Sequence, residues 1–122
     1  MTGPLWQPDE ARVDAANLTR FRREAAVTWG LALRDHAALY RWSIAEPGQF
    51  WQTVWSFCDV VAEHQGATAL VDGDRMPGAR FFPEARLNFA ANLLRRRDGG
   101  DAVVFWGEDR VKRKLSWRAT SS

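Results

Sequence analysis

Residues 80–97 read RFFPEARLNFAANLLRRR, and the interpretation of the whole chain starts from them. Pro83 disfavours helical backbone at Phe82, so we expect a helix only after the aromatic pair. Apolar residues then recur at helical spacing, which predicts one amphipathic helix that Arg95–Arg97 close. Asn88 and Asn92 lie one turn apart beside the apolar stripe, so their amides are expected to hold loop backbone. The stripe consists of Leu87, Ala90, Ala91 and Leu94.

The composition is that of a small globular protein. The chain has 122 residues and seven tryptophans, which predicts one small domain with a wide, polar-edged core. The net charge of +2 does not by itself indicate nucleic-acid binding. Cys58 is the only cysteine, so no disulfide framework is expected and a reducing, cytoplasmic location is favoured. The N-terminal residues do not resemble a signal peptide, and no apolar run approaches membrane-spanning length, so no membrane partner is expected.

Residues 9–66 are predicted to be mainly helical. Asp9 and Asp35 are plausible N-caps, and Gly30 is suited to end a helix. Asn17 marks a point where the first helical stretch is expected to break in two. The segment therefore predicts several short helices.

The clearest helical period begins at Pro47, which Glu46 can cap, and is expected to run to near Gly66. Trp51 and Trp55 on its apolar stripe could form a ligand wall, but core packing is the favoured interpretation. On the same stripe, a cysteine is expected to be a buried, inert thiol. The stripe consists of Phe50, Trp51, Val54, Trp55, Cys58 and Val61.

The C-terminal part is predicted to contain the best strands. After a loop and helix at 67–98, Ala102–Trp106 is continuously apolar, as in a strand covered on both faces. Val111–Arg118 alternates apolar and basic residues, which predicts a half-buried strand with a basic outer face. The fold class is therefore α/β, more narrowly an α+β fragment. N-terminal helices lead to a loop-helix and then to a hairpin at 102–118, the first strands of a larger sheet. Residues 1–122 are expected to be an incomplete domain.

Several segments together resemble the N-terminal region of the AMP-forming acyl-CoA synthetases, in the adenylate-forming superfamily. Within it, the chain is most similar to the acetoacetate–CoA ligases (acetoacetyl-CoA synthetases), up to about Trp117. The spaced tryptophans and the Leu-Asn-x-x-x-Asn-Leu-Leu run are specific in combination. The matching segments are PLWQP at 4–8, ANLTRF at 16–21, YRWS at 40–43, EP at 46–47, FW at 50–51, VW at 54–55, MPGARFFP at 76–83 and RLNFAANLL at 86–94.

The resemblance implies an acid–thiol ligase reaction for the complete enzyme. ATP and magnesium serve to make an acyl-adenylate from a carboxylate, here acetoacetate, and the acyl group then passes to CoA. That chemistry needs a glycine-rich phosphate loop with a lysine. The chain has none, and its two lysines, Lys112 and Lys114, fall on a predicted strand. We therefore expect no catalytic residue and no bound cofactor in this chain alone, and expect its partner to be the downstream part of the same enzyme.

The resemblance also implies one ligand contact. In the related acetate enzymes an aromatic-x-Gly-Gly segment lies against the adenine of CoA, and the matching positions here are Phe82, Glu84 and Ala85. Both glycines are replaced, and Glu84 would bring a negative charge toward a phosphate-bearing ligand.

Alternative interpretations remain open for the sequence. A stand-alone module could hold single-stranded nucleic acid through Trp106, Trp117 and nearby cations, but the aromatics fall on apolar stripes, so no nucleic acid is expected. A truncated remnant without function is the other alternative. Arg95–Arg97 could bind phosphate, although a solvated helix end is favoured. His36 and His64 lack metal-ligand spacing, so no metal site is expected.

Overall fold

The computed structural model describes residues 3–121, which form two compact units. Within that range the helical unit comprises residues 3–59 and 68–83, and the hairpin unit comprises residues 60–67 and 84–121. The described residues contain six helices and two small antiparallel sheets, so the predicted mixture of helices and strands is confirmed.

The helical unit begins with four helices, and several of their ends follow the local sequence signals. Asp9 accepts a hydrogen bond from the Arg12 backbone N–H (2.7 Å), and Asp35 caps its helix in the same way. Gly30 adopts φ of +63°, the left-handed conformation that commonly ends helices. The predicted break near Asn17 is also present. The helices are α1 Glu10–Ala15, α2 Asn17–Trp29, α3 His36–Ala45 and α4 Pro47–Phe57.

The core of the helical unit forms where α2, α3 and the loop between them meet. Thr53 of α4 is 5% exposed, and its hydroxyl accepts a hydrogen bond from the Trp29 indole N–H (2.8 Å) while donating to the Gln49 carbonyl. Both partners are thereby satisfied at the edge of the core. Sequence reasoning missed this pair because a threonine inside an aromatic stripe carries no distinctive pattern. The buried apolar residues are Phe21, Ala25, Leu33, Leu39 and Trp42.

Helix α4 ends at Phe57, so the prediction that it reaches Gly66 is wrong. Asp59 adopts φ of +52°, a conformation that a right-handed helix cannot continue. Because the chain turns there, Cys58 is exposed and does not pack as a buried thiol. Val61 also leaves the predicted stripe and belongs to the other unit.

A two-stranded sheet completes the helical unit. Strand β1, Leu70–Val71, pairs antiparallel with β2, Arg80–Phe81, with Leu70 opposite Phe81. Both strands lie within residues 67–98, where a loop and a helix were predicted. This pairing fixes the aromatic residues that follow it.

The hairpin unit contains a shorter helix than predicted, since α5 spans only Phe89–Leu93. Asn88 is its N-cap, accepting from the Ala91 N–H (3.1 Å), and Leu94 ends it. The expectation that Arg95–Arg97 close the helix is therefore wrong. Instead, the Arg96 guanidinium pairs with Asp98 beyond the end of α5.

The hairpin itself is formed by β3, Asp101–Trp106, and β4, Lys112–Ser116, with Phe105 opposite Arg113 and Trp106 opposite Lys112. The chain then enters a one-turn helix, α6 Trp117–Thr120, which the Ser116 hydroxyl caps. The alternating strand was expected to continue to Arg118. That expectation is wrong, because Ser116 caps a helix that begins at Trp117.

The faces of β3 are uncovered among the residues that the structure describes. Val103, Phe105 and Trp106 are 49%, 55% and 70% exposed. The prediction of a strand covered on both faces therefore does not hold for residues 3–121, since a two-stranded ribbon supplies no third layer.

Candidate functional site

Phe82, the first of the residues matched to a CoA contact, lies in the helical unit directly after β2. Its backbone N–H donates to the Ala69 carbonyl (2.9 Å), and its φ is +44°. Positive φ is unfavourable for a bulky side chain and costs on the order of 1–3 kcal/mol. The surrounding contacts must therefore hold Phe82 in place.

Two tryptophans of α4 supply those contacts. The Trp55 ring lies 4.6 Å from the Phe82 ring, centroid to centroid, with the planes tilted by 44°. One turn earlier, Trp51 meets Phe81 edge-on at 5.9 Å and 75°. Trp51 is 42% exposed and Trp55 is half-buried, so these two residues hold the aromatic turn at the surface. Phe50 and Val54 of the same stripe pack against the core as predicted.

Glu84 and Ala85, the other matched positions, belong to the hairpin unit. The Glu84 carboxylate accepts a hydrogen bond from the Ala67 backbone N–H (2.8 Å). Gly66, next to it, has φ of +83°, and a Cβ placed there would lie 2.6 Å from the Glu84 Cβ. The carboxylate thus has a partner within its own unit.

Ala85 is half-buried and lines an open cavity of about 510 Å³ within the hairpin unit. Next to it, Arg86 pairs with His64 through a backbone N–H···O=C bond of 2.8 Å, which forms an isolated antiparallel bridge. The bridge holds the cavity wall in place. The residues lining the cavity are Val61, Ala62, Glu63, Ala85, Arg86, Leu87, Asn88 and Ala91.

The prediction that the asparagines of this segment hold loop backbone is confirmed for Asn92 and not for Asn88. Asn92 accepts from the Val61 N–H and donates to the Val61 carbonyl, both at 2.7 Å. Asn88, as the helix cap, bonds within α5. The signal in the sequence was their spacing beside an apolar stripe.

Arg96, which follows α5, makes its contacts within the hairpin unit. Arg96 pairs with Asp98 and lies 5.7 Å over the Trp117 ring. Its hydrogen bond is the main cause that lowers the pKa of Asp98, and the Gly100 N–H adds to the effect. The same bond raises the pKa of Arg96.

On the hairpin surface, an aromatic ring lies closer to a cation than the sequence pattern indicated. Trp106 was separated from the cations in the linear pattern, yet the Lys112 ammonium lies 4.6 Å from the centre of its ring. Lys114 bonds to Asp101 at 2.5 Å. These two lysine charges therefore already have partners within the hairpin.

Among residues 3–121 no three His, Cys, Asp or Glu side chains come together as metal ligands. The sequence also has no glycine-rich loop ending in lysine. The aromatic pair of Phe82 and Trp55, in contrast, offers the type of surface on which an adenine ring can pack. In the described part of the chain, no helix has both the length and the apolar character needed to cross a bilayer.

The chain is similar to known proteins over nearly its whole length. Residues 36–93 match the family described as Acetyl-coenzyme A synthetase N-terminus. The chain is 49% identical over 114 residues to an acetoacetyl-coenzyme A synthetase of Rhizobium meliloti, covering 93% of this chain and 17% of that protein. It is 30% identical over 112 residues to an acetoacetyl-CoA synthetase of Danio rerio, covering 91% of this chain and 16% of that protein. A solved acetoacetyl-CoA synthetase from Streptomyces lividans superposes with a TM-score of 0.82 at 38% identity, covering 94% of this chain and 18% of that one.

Fold and sequence thus define the class: the chain corresponds to the N-terminal region of the acyl-CoA synthetases. Within that class, it belongs with the N-terminal region of the acetoacetyl-CoA synthetases. It spans about a sixth of the length of these relatives, 17% in the Rhizobium protein and 16% in the Danio protein.

Proposed function

We propose that this chain is the N-terminal segment of an acetoacetate–CoA ligase, which converts acetoacetate, ATP and CoA to acetoacetyl-CoA, AMP and diphosphate. The observation that carries the proposal is the 49% identity over 93% of the chain to an acetoacetyl-coenzyme A synthetase. In this proposal the segment is structural, and the rest of the ligase supplies ATP and magnesium binding. The single cysteine supports a cytoplasmic location.

The segment's own ligand contact is proposed to be with the adenine of CoA, at Phe82, Glu84 and Ala85. Phe82 supports this role because its half-buried ring packs against Trp55 of α4. The bond from the Ala67 N–H holds the Glu84 carboxylate in a defined position. Of the three residues, Ala85 has the smallest side chain.

The test is acetoacetate-dependent exchange of pyrophosphate into ATP, with and without CoA. The 122-residue chain alone is expected to give no exchange. Joined to the remaining part of a ligase, it is expected to give exchange with acetoacetate and thioester with CoA. Exchange by the isolated chain would contradict the structural role, and a soluble joined protein inactive with acetoacetate would contradict the proposed reaction.

A further inference from the structure

The hairpin of β3 and β4 has one face that is apolar except for a single arginine. The register pairs Phe105 with Arg113 in the middle of the ribbon, and Val103 with Leu115 on the preceding rung. Cross-strand partners share a face, and these residues line one open groove of about 470 Å³. This surface, the Val103 face, comprises Val103, Phe105, Val111, Arg113 and Leu115.

The apolar side chains of the Val103 face lie open to solvent. They are 48–55% exposed, and no residue of 60–67 or 84–121 is buried. The hairpin unit therefore does not cover this face with its own described residues. A contiguous exposed apolar patch indicates an interaction surface.

The opposite face of the ribbon satisfies its own charges. The Lys112 ammonium lies 4.6 Å from the centre of the Trp106 ring, and Lys114 bonds to Asp101 at 2.5 Å. Among residues 3–121, in contrast, the Arg113 guanidinium makes no ion pair, hydrogen bond or ring contact. Of the three cations of β4, only Arg113 is an uncompensated charge, and it lies in the apolar face.

Arg113 restricts what can cover the Val103 face. In a symmetric contact between two copies, the middle rungs would meet and bring two Arg113 side chains together, which is repulsive. Nucleic acid is a poor fit, because a single cation among apolar side chains cannot neutralise a row of phosphates. An apolar protein surface that carries one carboxylate fits both features, since it buries the apolar residues and pairs with the guanidinium.

We propose that the Val103 face docks on an apolar surface of the rest of the ligase, and that a carboxylate of that surface pairs with Arg113. This rests on the proposed function, which makes the chain one segment of a longer enzyme. The length of the relatives supports it, because this chain covers 17% of the Rhizobium protein and 18% of the Streptomyces one. Most of each relative is thus available to cover the face.

The experiment uses the joined ligase, in which this chain is continuous with the rest of an acetoacetyl-CoA synthetase. Arg113→Lys keeps the positive charge and supplies an amine that a carbodiimide joins to a carboxylate in direct contact. Mass spectrometry of the digested protein is expected to find position 113 linked to an Asp or Glu beyond residue 122 of the same molecule. Arg110→Lys, in the exposed loop between β3 and β4, is the matched control and is expected to give no such link.

A link between Lys114 and Asp101, which already bond to each other, shows within the same sample that the reagent works. With that link present, the absence of a link from position 113 would overturn the proposal, as would links only to carboxylates within residues 1–122. A link to a second molecule, recognised by mixing isotopically labelled and unlabelled ligase, would also overturn it and would assign the face to a dimer.

Charge reversal gives an independent measurement. Arg113→Glu is expected to raise hydrogen exchange at the β3 and β4 amides about tenfold or more, because the partner carboxylate then faces a like charge. Arg110→Glu changes the net charge equally and is expected to stay within about twofold. Equal exchange in the two variants would overturn the proposal. A ligase that forms the link but lacks acetoacetate-dependent exchange would contradict the proposed reaction and leave the interface standing.

Discussion

The helical unit and the hairpin unit differ in how far their large apolar side chains are exposed to solvent. All five buried apolar residues lie in the helical unit, where Trp42 is 7% exposed. In the hairpin unit no residue from 60–67 or 84–121 is buried, and Trp106 is 70% exposed. A tryptophan is therefore buried in the core of the helical unit, whereas another is exposed at the surface of the hairpin unit.

The difference follows from the number of layers in each unit. Several amphipathic helices can turn their apolar stripes toward one another, so that each covers its neighbours. A two-stranded ribbon has two faces and no second layer, which leaves its apolar residues in contact with water. Aromatic content alone thus does not predict where a core lies.

The largest expected effect comes from truncating the same residue type in each unit. Trp42→Ala should destabilise the helical unit by about 3–5 kcal/mol, because it empties a packed site. Trp106→Ala should cost less than about 1 kcal/mol, because its ring is already in water. Urea unfolding of the two variants, followed by circular dichroism, measures both. Equal losses would show that the hairpin has a closed core and would break the comparison.

Within the hairpin unit, Gly66 is expected to matter more than any exposed apolar residue. Gly66→Ala should cost about 1–3 kcal/mol, because alanine is strained at φ of +83° and its Cβ would meet Glu84. Gly99→Ala is the matched control, since a Cβ there meets no atom within 4 Å. Thermal unfolding of both variants measures the difference. A Gly66→Ala protein as stable as Gly99→Ala would contradict the turn geometry.

The hydrogen bonds of the Asn92 side chain are expected to stabilise the hairpin unit. Asn92→Ala removes both bonds to Val61 and is expected to cost about 1 kcal/mol. Amide hydrogen exchange at the Val61 N–H should become faster. Asn88→Ala, which removes only the helix cap, serves as the control. Faster Val61 exchange in Asn88→Ala but not in Asn92→Ala would contradict the assignment.

The smallest effect is expected from pH. Because the hydrogen bond from Arg96 lowers the folded-state pKa of Asp98, its stabilisation is complete above the ordinary aspartate value of about 3.9. It is lost as the pH falls through the lower folded-state value. NMR titration of the Asp98 carboxyl carbon measures this pKa, and Asp98→Asn removes the pH dependence at this position. A pKa at or above the ordinary value would show that the Arg96 pair does not form in solution.

Helix beginnings were the most predictable part of the fold. Asp9, Asp35 and Pro47 act through atoms within the next turn, so a short window of sequence contains the whole cause. Helix ends were less predictable: α4 stops at Phe57 because Asp59 adopts a positive φ, and α5 stops at Leu93. Nothing in the local pattern at these two places indicates an end.

Only part of the candidate site could be predicted from the sequence. The resemblance pointed to Phe82, Glu84 and Ala85, and their contact with CoA stays a prediction. The Trp55 partner of Phe82 was assigned to the core, because helical spacing alone does not distinguish a buried stripe from one that supports a surface turn. The bond from Ala67 to Glu84 joins residues seventeen positions apart and had no signal in the sequence.

The sequence by itself determined the family and the caps at Asp9 and Asp35, because these depend on residue types at fixed spacings. The partner of Asn92 lies 31 positions away and was not determined in this way. Only the tertiary structure decided which tryptophans are buried, where α4 and α5 end, and which ring supports Phe82. Burial and long-range contacts depend on which elements cover one another, and that is a property of packed layers rather than of any local stretch.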